Sequence, residues 1–137
     1  MAFEGESLEP MLDLFATQWP DVRLVAIFGS VVRGTARPES DVDVAVLGGS
    51  FWDQLAIGSE VSRYLRREPH VVDLAAASDW LRFEVARGGV AIFERSPGTW
   101  AQFQAQAALH HFDLAPLIEL CASGVRRRLL REATSHG

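Results

Sequence analysis

The chain has 137 residues, of which 48% are hydrophobic and 23% charged, and its formal net charge is −5 at pH 7. This length and balance are typical of one globular domain, so we expect a single domain over residues 1–137. The negative net charge argues against non-specific binding of nucleic acid. No apolar stretch is long enough to predict a membrane span, and the N-terminal residues do not show the basic-then-apolar pattern of a signal peptide. With Cys121 as its one cysteine, we expect a cytoplasmic protein.

Hydrophobic periodicity predicts five elements in the first half of the chain. Helical spacing of apolar residues alternates there with short apolar runs rich in β-branched residues. In chain order these elements are a helix over 8–19, a strand over 22–28, a short helix over 31–33, a strand that ends at Leu47 and a helix over 51–67.

The second half predicts two further strands and three further helices. They are a strand over 70–74, a helix capped by Ser78 or Asp79, a strand over 90–93, a helix with an apolar stripe from Trp100 to Leu114, and a last helix that starts near Pro116. We therefore expect an α/β (α+β) fold with a mixed sheet of about four strands, covered by helices and followed by C-terminal helices.

A glycine–serine turn, Gly29 and Ser30, follows the first predicted strand. Gly29 permits a sharp turn or a close backbone approach to a ligand, and Ser30 is a good N-cap for the short helix that Gly34 closes. Because free N–H groups at a helix start attract phosphate, this turn and Arg33 are candidates for nucleotide binding. The alternatives are an ordinary strand-to-helix cap and a surface arginine.

A carboxylate pair, Asp41 and Asp43, stands at the head of the second predicted strand. Alternation along a strand puts both on one face, with Val42 and Val44 on the other. Two carboxylates a few ångströms apart repel by roughly 3–4 kcal/mol at an effective dielectric constant of about 20, so a cation or proton must offset the charge. Such an oxygen-only set suits Mg²⁺ with substrate phosphates. Alternatively, both are solvated turn residues after Pro38.

Asp73 near the end of the third predicted strand is a candidate third carboxylate. If that strand lies beside the strand of the carboxylate pair, three carboxylates converge and can hold two metal ions about 3.5–4 Å apart. Asp73 would then be placed to accept the proton of an attacking hydroxyl. Its alternative role is an N-cap or a solvated strand end.

The histidines and the C-terminal arginines give weaker signals. No zinc-like spacing with cysteine is formed by the four histidines, His70, His110, His111 and His136. The cluster Arg126–Arg128 with Arg131 suits the negative end of a helix, and it is also compatible with an acidic partner or phosphates.

The pattern G-S-x(10)-D-x-D with a later strand aspartate resembles that of the DNA polymerase β-like nucleotidyltransferase superfamily. The segment FGSVVRGTARPESDVDVAVL is most similar to its minimal nucleotidyltransferases, which often form the antitoxin half of HEPN–MNT toxin–antitoxin pairs. The resemblance is sharp over residues 22–47 and extends over most of the chain. It implies that Gly29 and Ser30 hold a triphosphate, that Asp41 and Asp43 coordinate Mg²⁺, and that Asp73 is the third carboxylate and base.

The function implied by this resemblance is transfer of AMP from ATP to a tyrosine hydroxyl of a partner HEPN ribonuclease toxin, which silences the toxin in a hetero-oligomer. Two magnesium ions and ATP are the implied cofactor and donor. One alternative is an antitoxin that neutralises its partner by binding alone. The other is a nucleotidyltransferase that acts on a small molecule such as an aminoglycoside.

Overall fold

Five helices and four strands alternate along the part of the chain that the computed structural model describes, residues 8–111. They are α1 (Glu9–Gln18), β1 (Val22–Phe28), α2 (Ser30–Arg33), β2 (Val42–Gly48), α3 (Phe51–Leu65), β3 (Pro69–Asp73), α4 (Asp79–Gly88), β4 (Val90–Glu94) and α5 (Thr99–His111). The predicted last helix, Cys121, His136 and the C-terminal arginines lie outside the described residues.

The four strands form one mixed sheet in the order β3-β2-β1-β4. β1 pairs antiparallel with both β2 and β4, whereas β2 and β3 run parallel and are joined through α3. The predicted mixed sheet of about four strands is therefore confirmed. This order places the end of β1, the start of β2 and the start of β3 at one end of the sheet.

Helices cover both faces of the sheet, and each face has its own core. On one face, β1 and β2 pack against α1 and α3 through buried side chains that include Phe15, Val25, Val44 and Ile57. The opposite face packs against α4 and α5 through a second set that includes Leu24, Ala45, Val85 and Phe103. Full burial of such side chains contributes about 1.5–3 kcal/mol each, so both layers stabilise the sheet.

Local capping sets the ends of the longer helices. Ser50 and Asp53 form a reciprocal capping box at the start of α3, with hydrogen bonds of 3.0 and 3.1 Å. The helix ends at Leu65, two residues before the predicted end, because Arg66 adopts a left-handed conformation with φ of 55°. Ser78, one of the two predicted caps, accepts a hydrogen bond from the Leu81 N–H and starts α4.

No helix within residues 8–111 combines the length and the apolar character that crossing a membrane requires.

Candidate active site

The glycine–serine turn lies against the carboxylate of Asp43. Phe28, the last residue of β1, pairs with Asp43 across the antiparallel ladder, so Gly29 follows directly beside the head of β2. A Cβ atom added to Gly29 would collide with Asp43 Oδ2 and would stand 3.2 Å from Cγ. Only glycine leaves room for this carboxylate, and the two halves of the sequence pattern therefore meet in space.

The short helix α2 begins one residue earlier than expected. Gly29, with φ of 82° and ψ of −151°, is its N-cap, and Ser30 is its first helical residue. The prediction that Ser30 caps the helix is wrong, because this backbone conformation is open to glycine and the chain enters the helix directly after it. Gly34 closes the helix in the left-handed conformation, as expected, and Arg33 is exposed in its last turn.

A turn held by hydrogen bonds precedes Asp41. The Arg37 N–H donates to Ser40 Oγ at 2.9 Å, and Arg67 Nη1 donates to the carbonyls of Arg37 and Ser40 at 2.6 and 2.9 Å. Asp41 follows this turn, is exposed, and stands immediately before β2. No local pattern in the sequence marks the role of Arg67, because its contact with Ser40 spans 27 residues.

His70 lies within hydrogen-bond distance of Asp43. The two residues stand opposite each other in the parallel register of β2 and β3, and His70 Nδ1 lies 3.1 Å from Asp43 Oδ1. The Asp43 side chain is 26% exposed and that of His70 is 66% exposed, so both remain open to a ligand. The spacing of His70 gives no metal-site signal in the sequence, and no local pattern shows the register that places it beside Asp43.

Asp73 lies away from the carboxylate pair. It stands opposite Val46, three residues further along β2 than Asp43, which is roughly 10 Å at the rise of a parallel strand. The odd spacing puts it on the other face, where Gln54 of α3 donates to its Oδ1 at 3.2 Å. The predicted convergence of three carboxylates is wrong, because parallel strands bring like ends together and Asp73 ends β3, whereas Asp43 lies near the start of β2.

The donor set at the head of β2 fits one Mg²⁺ ion held together with a nucleotide. Asp41 and Asp43 supply carboxylate oxygens, and a Cβ atom at Gly29 would fill the space beside Asp43 Oδ2. Within residues 8–111 no group of three His, Cys, Asp or Glu side chains could hold a metal by itself. Since Mg²⁺ is commonly held by one or two carboxylates plus substrate phosphates, the pair suffices for one ion.

Comparisons with known proteins agree with this fold. Protein adenylyltransferase MntA of Shewanella oneidensis is 30% identical over 82 residues, which make up 58% of this chain and 59% of that protein. The alignment thus spans less than two thirds of that relative.

Two solved structures share the fold at low identity. A structure of the toxin–antitoxin with AMP-PNP matches with a TM-score of 0.61 and 19% identity, over 94% of this chain and 99% of that chain. A structure of the tri-AMPylated Shewanella oneidensis HEPN toxin in complex with MNT antitoxin matches with a TM-score of 0.54 and 17% identity, over 92% and 94%. The model of the family described as "Polymerase beta, Nucleotidyltransferase" matches residues 11–98, more than half of the chain. The chain belongs to the polymerase beta nucleotidyltransferase family.

Proposed function

We propose that this chain is an antitoxin that transfers AMP from ATP to a tyrosine hydroxyl of a partner HEPN ribonuclease toxin and thereby silences it. The family supports nucleotidyl transfer as the reaction class. The adenylyltransferase activity named for the Shewanella relative supports AMP as the group transferred. The structural similarity to a complex of an AMPylated HEPN toxin with its MNT antitoxin supports the partner.

The observation that carries the proposal is the contact between the glycine–serine turn and Asp43. A Cβ atom at Gly29 would occupy the space of the Asp43 carboxylate, so the turn and the carboxylate share one small site. A phosphate-binding turn beside a pair of metal-binding carboxylates is what transfer from a nucleoside triphosphate requires.

Each residue of the site has a separate task in this proposal. Asp41 and Asp43 hold Mg²⁺, which when bound offsets negative charge on the triphosphate. The backbone at Gly29 and the hydroxyl of Ser30 contact phosphate oxygens, and exposed Arg33 provides a cation at the end of α2. Positioning and electrostatic stabilisation are the main contributions a protein makes to phosphoryl transfer, so these contacts account for the catalysis.

The transfer itself exchanges one phosphorus–oxygen bond for another. The acceptor hydroxyl oxygen bonds to the α-phosphorus of ATP, the bond from that phosphorus to the bridging oxygen breaks, and pyrophosphate leaves. The hydroxyl proton passes to a water molecule, because the site is open to solvent. Asp73 is not placed for that step, since it lies on the other face of the sheet.

One observation favours a second candidate, an antitoxin that neutralises its partner by binding alone. Among the described residues, no third carboxylate joins Asp41 and Asp43 in a metal site. A site with two carboxylates can hold fewer metal ions than the predicted site with three. Under this reading the site is vestigial, and ATP has no effect on neutralisation.

Intact-protein mass spectrometry tests the transfer. The chain is incubated with ATP, Mg²⁺ and a HEPN toxin that binds it, and the mass of the toxin is measured before and after incubation. We expect the toxin to gain the mass of one or more AMP groups on tyrosine, and the Asp43→Asn variant to leave its mass unchanged. A toxin that binds the wild-type chain but gains no mass would contradict the proposal and support the second candidate.

A further inference from the structure

His70 lies beside Asp43, a place that Asp73, the predicted third carboxylate, does not reach. It is the second residue of β3, and its position opposite Asp43 puts both side chains on the same face of the parallel pair. Its Nδ1 atom lies 3.1 Å from Asp43 Oδ1. An ionised carboxylate only accepts hydrogen bonds, so the ring N–H at Nδ1 is the donor in this contact.

The two oxygens of the Asp43 carboxylate thus have different neighbours. Oδ1 accepts from His70 on the side of β3, and Oδ2 lies against the backbone of Gly29 on the side of β1. With one oxygen held by the imidazole, the carboxylate cannot rotate freely about its last bond. Its second oxygen consequently stays directed toward the glycine–serine turn, where the phosphates would lie.

We propose that His70 is a positioning residue that holds Asp43 in the orientation needed for Mg²⁺ and nucleotide. This inference rests on the proposed function, because it assigns a task to the same site. Removing a hydrogen bond that orients a metal-binding side chain commonly lowers metal affinity or activity by about tenfold to a hundredfold. A partly exposed His–Asp pair contributes little to folding stability. We therefore expect replacement of His70 to change the affinity for Mg²⁺ and nucleotide and to leave folding stability nearly the same.

The test measures binding of Mg²⁺ with the non-hydrolysable analogue AMP-PNP by isothermal titration calorimetry. We expect His70→Ala to weaken this binding by about tenfold to a hundredfold. His70→Asn should restore most of it, because the carboxamide nitrogen lies as many bonds from the backbone as Nδ1 and also donates. Binding of AMP-PNP in EDTA and the melting temperature without ligand should be the same in all three proteins.

His110→Ala is the matched control, because His110 is an exposed histidine on α5 and should leave the affinity unchanged. Equal affinity of wild type and His70→Ala would overturn the positioning role while leaving the proposed function intact. Equal losses in His70→Ala and His70→Asn would also overturn it, since a donor at this position would then be irrelevant. A wild-type protein that binds no Mg²⁺·AMP-PNP would overturn the proposed function and this inference together.

Discussion

Gly29 sets how closely the glycine–serine turn approaches Asp43. We predict that Gly29→Ala weakens Mg²⁺·AMP-PNP binding strongly, because the added Cβ displaces the Asp43 carboxylate from its place. Ser30→Ala should cost about 1 kcal/mol, the value of one side-chain hydrogen bond. Calorimetric titration of both variants gives the two affinities directly.

Gly98→Ala separates this collision from backbone strain. Gly98 has a positive φ of 90°, like Gly29, yet a Cβ atom there would meet nothing within 4 Å. Its substitution should lower folding stability by about 1–2 kcal/mol, the cost of a side chain in the left-handed region, without changing the affinity for Mg²⁺·AMP-PNP. If both glycine variants lose affinity equally, the contact with Asp43 is not the cause.

The carboxylate pair and Asp73 differ in their expected response to metal. Wild type should gain roughly 2.7 kcal/mol of unfolding free energy when Mg²⁺·AMP-PNP is at a hundredfold excess over its dissociation constant. The double variant Asp41→Asn with Asp43→Asn should lose this gain and remain folded. Asp73→Asn should keep it, because Asp73 lies on the opposite face of the sheet and contacts Gln54. Thermal unfolding with and without ligand measures all three, and a loss in Asp73→Asn would return that residue to the site.

Local sequence patterns predict most of the helices and strands of the fold. Apolar residues recur at helical spacing from Leu8 to Trp19, and this pattern is complete within one segment of the chain. The helix Glu9–Gln18 forms there, as predicted. The alternating run after Asp41 likewise identified the strand Val42–Gly48. The boundaries moved by one or two residues where a single conformation decides them, as the left-handed Arg66 does at the end of α3.

The site was predicted only where its parts are local or joined by antiparallel pairing. Gly29 and Asp43 meet because β1 and β2 are consecutive strands that pair antiparallel, with Phe28 opposite Asp43. The predicted position of Asp73 is wrong because the register of β2 and β3 depends on how α3 packs between them in the chain, and no short sequence pattern encodes that register. The same register brought His70 to Asp43, and a distant side chain, Arg67, fixed the turn before Asp41.

Arg95 anchors the end of α1 to the sheet. Its guanidinium donates to the carbonyls of Phe15 and Trp19 at the end of α1, at 3.1 and 2.9 Å, and to the carbonyl of Val22 at the start of β1, at 2.8 Å. Because the end of a helix leaves its last carbonyls without helical partners, Arg95 supplies a donor for the Phe15 carbonyl. We predict that Arg95→Ala lowers the free energy of unfolding by about 2–4 kcal/mol, because these carbonyls lose a charged donor. Urea unfolding measures the loss.

Arg87→Ala is the matched control for Arg95→Ala. Arg87 forms an exposed pair with Glu84 within α4, at 3.0 Å, and such pairs contribute about 0–1 kcal/mol. Equal losses in the two variants would show that the anchor between α1 and the sheet contributes nothing beyond an ordinary surface arginine.

In the molecule as a whole, the buried centre of the sheet stabilises the fold, and the candidate site lies at one end of its strands. Helices on both faces bury the middle of the strands. The glycine–serine turn, Asp41, Asp43 and His70 instead lie at the end of the sheet where β1 ends and β2 and β3 begin. Rigid strands therefore position a site that stays open to a large acceptor. That openness suits a protein tyrosine as the acceptor better than a small molecule, which binds in an enclosed pocket.

If AMP transfer silences the partner HEPN toxin, as we propose, RNA cleavage by that toxin stays low after the chain has been removed. The toxin is incubated with the chain and Mg²⁺, with or without ATP, the chain is then removed under dissociating conditions, and the cleavage rate is measured. We predict that cleavage falls only after incubation with ATP and wild-type chain, and that it persists with Asp43→Asn. A toxin that recovers full activity once the wild-type chain is removed, whether or not ATP was present, would contradict silencing by AMP transfer and support neutralisation by binding alone.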